Sequence, residues 1–168
     1  MPYTPYFKHA DDVVGHLNTV VPATANPLIK AKYVGFVAVA AVTVYELAIK
    51  GIFIEFARKK HKVLGNFTEV HFDQINGRIK RENIVNDYLK RFGDKYVDRF
   101  KKKVDAAAHT YMASNRRDIK NSYANLILWR NDFAHEGRLS ATATYGDVVQ
   151  AYEDGKEIIR CLYETMVR

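Results

Sequence analysis

One cysteine, Cys161, is all that this chain of 168 residues possesses. A lone thiol excludes an intrachain disulfide framework and a thiolate metal site, and it agrees with a reducing cytoplasm as the expected location. The amino terminus MPYTPYFKHADD lacks the basic segment and apolar run of a secretory signal, so no export signal is expected. The most apolar run, from Tyr33 to Tyr45, is shorter than a bilayer requires and is followed by Glu46 and Lys50. It predicts a buried core helix and no membrane partner. Also missing are H-E-x-x-H, G-K-[ST] and G-x-S-x-G, which removes the common zinc protease, phosphate-loop and serine hydrolase readings. The histidines at 9, 16, 61, 71 and 109 have no ligand spacing among themselves, so neither a metal nor any other cofactor is expected. No stretch reads as a convincing strand.

What the chain does have is positive charge, a formal +7 at neutral pH. Polyanions are the favoured partners, because neutralising phosphates releases condensed counterions; RNA or DNA is the obvious class. The length fits one domain over residues 1–168 that buries about 70% of the surface its unfolded form exposes, enough for a proper core.

Apolar positions recur at intervals of three and four, which predicts helices throughout. Phe7, Ala10, Val14, Leu17 and Val21 define a first helix from about Tyr6 to Val21, ended by Pro22. Asn26 and Pro27 make a good start for a long second helix, apolar nearly all round between Tyr33 and Phe56, that stops near Gly65 and has a possible bend at Gly51. Three shorter helices are expected over about 68–79, 81–92 and 94–107, with Gly93 and Asp94 as the break between the last two. Ser114 or Asn115 can cap the next helix, whose core face is Ile119, Tyr123, Leu126, Ile127 and Phe133. After the polar loop RLSATA, Thr144 with Asp147 resembles a capping box for a last helix with Val148, Tyr152, Ile159, Leu162 and Met166 inside. The expected fold is all-α: a bundle of about four main helices plus short ones.

Two features along the way carry alternative readings. Basic residues cluster around Lys80 and Arg81, at Arg91, and at Lys101, Lys102 and Lys103, interleaved with Tyr88, Phe92, Tyr96 and Phe100. Such a mixture can form a surface that stacks bases and holds phosphates; at helical spacing the aromatics are more often the buried face. Glu46, in the middle of the apolar run, needs a partner, because an unpaired buried carboxylate is costly. It either orients Arg130 from the neighbouring helix or pairs with Lys50, four residues on.

The chain is organised around Leu126 to Gly137, LILWRNDFAHEG. There an apolar helix pattern delivers Arg130, a permanent planar cation, and His135, a group that gives or takes a proton near neutral pH, to a helix end. Asn131 and Asp132 add polar groups between them, Phe133 and Ala134 anchor the helix in its core, and Gly137 suits the left-handed closing residue. An R-x-x-x-x-H match arises by chance about 0.4 times in a sequence of this composition, so the spacing alone is weak and a simple complement to the helix dipole is the bland reading.

The long apolar helix with its glutamate, then RENIVNDYLKRFGDKYVDRFKKK, then LILWRNDFAHEG, together resemble the HEPN superfamily, and within it the RiboL-PSP type. The likeness runs from about Leu28 to the end and is sharpest at RNDFAH. It implies a HEPN-like helical domain and a metal-independent ribonuclease that works as a homodimer, often as a toxin or antiviral defence component, with a cognate antitoxin or sensor protein as a possible partner. By position it makes Arg130 and His135 the catalytic pair, Asn131 the polar residue after the arginine, and Glu46 the acidic residue on the earlier helix. The H-x-Y variant is absent, since Glu136 and Gly137 follow the histidine.

Five residues correspond to about 140° of rotation on a straight helix, so Arg130 and His135 of one chain are not expected to share a face unless the helix ends between them. A two-fold interface, offering two arginines and two histidines, removes that difficulty. The expected chemistry is attack by a ribose 2′-hydroxyl, with histidine moving protons and Arg130 stabilising charge on phosphate. The alternative is a non-catalytic helical module that binds nucleic acid or a partner protein.

Overall fold

In the computed structural model, which describes residues 3–24, 26–139 and 142–167, seven helices and no strand occur among those residues. A short 3-10 turn, Thr4–Phe7, leads into α1, Lys8–Val20. Phe7, Ala10, Val14, Leu17 and Val21 are buried, as their spacing predicts. Asn26 accepts a hydrogen bond from the Leu28 N–H, with Pro27 opening the helix behind it, and α2 runs from Pro27 to Lys60. At 34 residues it extends about 51 Å.

Helix α2 stops before Gly65 because His61 adopts an extended backbone and its Nδ1 accepts from the Val63 N–H, capping α3, Lys62–Asp73. Gly65 lies within α3, where the Arg58 side chain fills the space a Cβ would take. The helix expected over 68–79 therefore begins and ends earlier. Asn76 and Gly77 both have positive φ, 31° and 76°, and two such residues in succession break a right-handed helix. Helix α4 then occupies 81–92 as Arg81–Asn83, a π-type segment Ile84–Leu89, and Lys90–Phe92.

Past Gly93, α5 spans Asp94–Asn115, longer than expected, and ends where Arg116 turns left-handed. The cap of α6, Ile119–Glu136, is Asp118, which accepts from the Lys120 N–H, and not Ser114 or Asn115. Of the expected core face, Ile119, Tyr123, Leu126 and Ile127 are buried, with Phe133 partly so. The capping box of Thr144 and Asp147 is present at the start of α7, Tyr145–Met166. Residues 140 and 141 of the RLSATA loop lie outside the described residues.

Helix α2 is the centre, packed by α1, α3, α6 and α7, while α5 lies against α7. Tyr45 of α2 stacks between Tyr123 of α6 and Tyr152 of α7, at ring-centroid distances of 5.7 and 5.8 Å. Its hydroxyl donates to the Tyr152 carbonyl, over Gly155, where no side chain would fit. Fully burying side chains of this size contributes roughly 1.5–3 kcal/mol each. The aromatic stripe of Tyr88, Phe92, Tyr96 and Phe100 is buried or packed on the core.

By length and composition α2 is apolar enough to cross a membrane, contrary to the expectation from the run Tyr33 to Tyr45. The apolar stretch continues beyond Glu46 and Lys50, which pair with each other and so tolerate burial. Most of it is buried against the neighbouring helices, the arrangement of a core helix.

Candidate active site

Helix α6 carries Arg130, Asn131 and His135 to one end of the bundle. Arg130 is half-buried and His135 exposed. The Arg130 Nη1 donates to Asn131 Oδ1 at 2.8 Å and lies 3.3 Å from His135 Nε2. A guanidinium has donors only, so this contact uses the lone pair of an unprotonated Nε2.

One chain thus brings the pair together, against the expectation from their angular separation. Helical geometry persists through both residues, but the last turn is widened: the N–H groups of Gly137 and Arg138 both donate to the Asp132 carbonyl. A widened turn advances less than the about 100° per residue of an α-helix, and the long arginine side chain spans what remains.

The helix end is seated by glycines on other elements. The Phe133 ring lies on Gly35 of α2, where a Cβ would come within 2.2 Å of it, and meets Phe36 at 5.4 Å between centroids. Ala134, expected to help anchor the helix, is exposed. The Arg130 guanidinium lies against Gly77 in the turn between α3 and α4. Glu46 holds that turn: its Oε2 accepts from the Gly77 N–H at 2.6 Å, while Oε1 pairs with Lys50 at 2.9 Å. Of the two readings for Glu46, the ion pair with Lys50 is the one present, and the carboxylate reaches Arg130 only through Gly77.

Two phenols pin the same turn. Tyr88 donates to the Arg78 carbonyl at 2.6 Å and Tyr123 to the Ile79 carbonyl at 2.7 Å. Burial pushes the Tyr88 hydroxyl up to about 12, and the Tyr123 hydroxyl well above its ordinary value, so both remain donors at neutral pH. Among the described residues no carboxylate forms an ion pair with Arg130, and the Asp132 carboxylate forms no hydrogen bond or ion pair. A half-buried guanidinium without a carboxylate partner retains donors for an anionic ligand.

The basic residues divide. Lys80, Arg81 and Lys120 line a cleft of about 350 Å³ that reaches Asn131. A neighbouring cleft of about 380 Å³ shares Arg81 and Lys120 and adds Lys101, so Lys80, Arg81 and Lys101 form one track that begins beside Asn131, with Glu82 and the Lys120–Asp105 ion pair, 2.6 Å, also lining it. Lys103 is not on it, being paired with Glu164 at 2.9 Å. Lys102 is exposed and lines neither cleft. Arg91 points into a different cleft, beside His71.

No curated protein and no solved structure matched the chain when it was compared with them. A family model, RiboL-PSP-HEPN, matches residues 6–168. The chain therefore belongs to the RiboL-PSP-HEPN family of HEPN-type domains.

Proposed function

We propose that this protein is a metal-independent endoribonuclease whose site is Arg130 and His135, assembled at the two-fold axis of a homodimer. HEPN-type domains are often ribonucleases, which supports the class. The observation that carries the assignment to this site is the Arg130 guanidinium, in contact with an accessible imidazole and without an anionic partner. Burial of both side chains would have favoured the non-catalytic module, and His135 is exposed.

A phosphodiester entering along Lys80 and Arg81 supplies the anion that Arg130 lacks. As the guanidinium turns to the phosphate it releases the lone pair of His135 Nε2, which takes the proton of the ribose 2′-hydroxyl. The 2′ oxygen bonds to phosphorus, the bond from phosphorus to the 5′ oxygen breaks, and that oxygen takes a proton from a histidinium. Arg130 stabilises the charge that accumulates on the phosphoryl oxygens. The products are a 2′,3′-cyclic phosphate and a 5′-hydroxyl, and DNA, lacking the nucleophile, binds without being cut.

This scheme needs a base and an acid, and each chain offers one histidine at the site. A second copy supplies the other. Exposed Phe36, packed edge-on to Phe133, and exposed Leu128 on α6 give the flank of the site an apolar surface suited to such an interface. The role we propose is that of a toxin or defence effector, restrained by an antitoxin or switched by a sensor protein, acting in the cytoplasm, where the lone thiol of Cys161 agrees with a reducing environment.

The test is incubation of the protein with bulk RNA in excess chelator, beside Arg130→Ala and His135→Ala, with product ends analysed. Cyclic-phosphate ends from wild type alone are expected. Cleavage by either variant at the wild-type rate would remove the site from consideration.

A further inference from the structure

Helix α3 packs on α2, and its outward face is apolar where a surface helix would be polar. Val63, Phe67 and Val70 are 68%, 71% and 65% exposed, and Leu64 beside them 39%. At helical spacing the first three fall within about 60° of one another, so they form one ridge. The ridge separates two clefts. On one side Glu69 and Asp73 line a cleft shared with α2; on the other, Leu64 and Phe67 line a cleft of about 360 Å³ whose far wall is α4 and the start of α5. Val63 and Val70 line neither, so these apolar side chains project outward and do not floor a groove.

Cations stand on both margins of this ridge. Lys62 precedes Val63 and leaves the helix about 100° away from it; Lys60, Arg91 and Lys95 line the cleft on the opposite margin. None of the four forms an ion pair among the described residues, and no aspartate or glutamate lines that cleft. The carboxylates nearby are already taken, Glu55 by Lys59, Glu69 by Arg58 and Asp94 by Lys90, which leaves Asp73, on the other cleft, as the unpaired acid of α3. Lys60 Nζ lies 5.4 Å from the centroid of the Phe56 ring and Lys95 Nζ 5.0 Å from that of Tyr96. A lysine that lies along apolar surface with its ammonium at the edge is arranged to snorkel, its stem in an apolar phase and its charge at the polar boundary.

We infer that the ridge of α3 makes a peripheral contact with an anionic phospholipid bilayer, Val63, Phe67 and Val70 entering the boundary of the acyl chains while Lys60, Lys62, Arg91 and Lys95 meet headgroup phosphates. A helix whose bulky apolar strip is bordered by lysine and arginine lies in the plane of a membrane interface, and cations beside it attract anionic lipid. A flat bilayer accepts a ridge, whereas a partner helix is held by apolar residues that line a groove. A second copy meeting this face about a two-fold axis would set the four cations against their own kind. Such a contact needs no spanning segment, and it does not depend on the ribonuclease site.

The experiment is flotation of the full chain with vesicles of phosphatidylcholine alone and of phosphatidylcholine mixed with phosphatidylglycerol. Saturable binding to the mixed vesicles is expected, roughly tenfold or more tighter than to phosphatidylcholine and weakened by salt. The Val63→Ser, Phe67→Ser double variant, changed at exposed positions, should keep its thermal melt and lose roughly tenfold or more in affinity. The Lys62→Gln, Lys95→Gln double variant should lose as much on the mixed vesicles, while Lys80→Ala, Arg81→Ala binds as wild type. No flotation with the mixed vesicles, an unchanged Val63→Ser, Phe67→Ser variant, or a loss confined to the Lys80→Ala, Arg81→Ala variant would overturn the inference. So would sedimentation in which wild type is a dimer and the Val63→Ser, Phe67→Ser variant a monomer, since the ridge would then join two copies.

Discussion

The guanidinium of Arg130 lies so close to Gly77 that a Cβ on that glycine would sit 2.5 Å from Nη2. Gly77 also has φ of 76°, a conformation L side chains rarely adopt. Two independent demands, steric and conformational, meet at one residue that touches the proposed catalytic arginine. Gly77→Ala is therefore expected to cost about 1 kcal/mol in stability from backbone strain. It should slow RNA cleavage by about a hundredfold, because displacing a charge-stabilising group by an ångström costs that much. Urea unfolding and single-turnover cleavage, measured on the same preparation, separate the two effects.

Glu46 acts one step further back, through the Gly77 N–H. Glu46→Gln keeps an acceptor for that N–H and should retain most of the activity. Glu46→Ala leaves both the N–H and Lys50 without a partner and is expected to destabilise by about 2 kcal/mol. Combined with Gly77→Ala, its effect on cleavage should be less than additive, since both loosen one turn. Additive losses would separate Glu46 from the arginine.

The cations that line the track should be distinguishable from those that do not. Lys80→Ala or Arg81→Ala is expected to weaken RNA binding and to reduce the slope of log affinity against log salt by about 1. Lys103→Ala should leave that slope unchanged.

Lys103 reports instead on acid stability. Its hydrogen bond, with help from Arg160, holds the Glu164 carboxyl below its ordinary value of 4.5. A depressed carboxylate contributes stability above the unfolded value and loses it as pH falls through the folded one. The gap in stability between wild type and Lys103→Ala should thus be fully open above pH 4.5 and close below it, which urea unfolding across pH 3 to 7 will show.

Asp154 is fully buried in α7 and accepts from Tyr111 Oη and Ser122 Oγ at 2.9 Å, Gln150 Nε2 at 3.0 Å and Arg117 Nε at 3.3 Å. It joins α5, α6 and α7 through one carboxylate. Asp154→Ala strands these donors and is expected to cost about 3–5 kcal/mol, the range for breaking a buried charged network. A change under 1 kcal/mol in the urea midpoint analysis would show that the donors find water instead.

Much of this was legible in the chain itself. The interval of three and four that places Val148, Tyr152, Ile159, Leu162 and Met166 on one face follows from helical geometry alone, as do the caps at Asn26 and Thr144. The turn that seats Arg130 was legible in part, since Asn76 followed by Gly77 is a turn dipeptide, but the flanking apolar residues Phe72, Ile75 and Ile79 mimic helical spacing. Asp154 gave little local sign, because of its donors only Gln150 lies one turn away and the others come from positions 111 to 122.

By itself the sequence determined that the protein is helical, which faces of its helices are apolar, and that an arginine and a histidine stand at one helix end, because propensity, periodicity and capping act within a few residues. Only the tertiary structure decided which cations are free and which are neutralised, that Glu46 holds Gly77 and not Arg130, and that Arg91 faces His71 across a separate cleft. Those outcomes depend on residues from 20 to more than 60 positions apart, where packing alone chooses the partner.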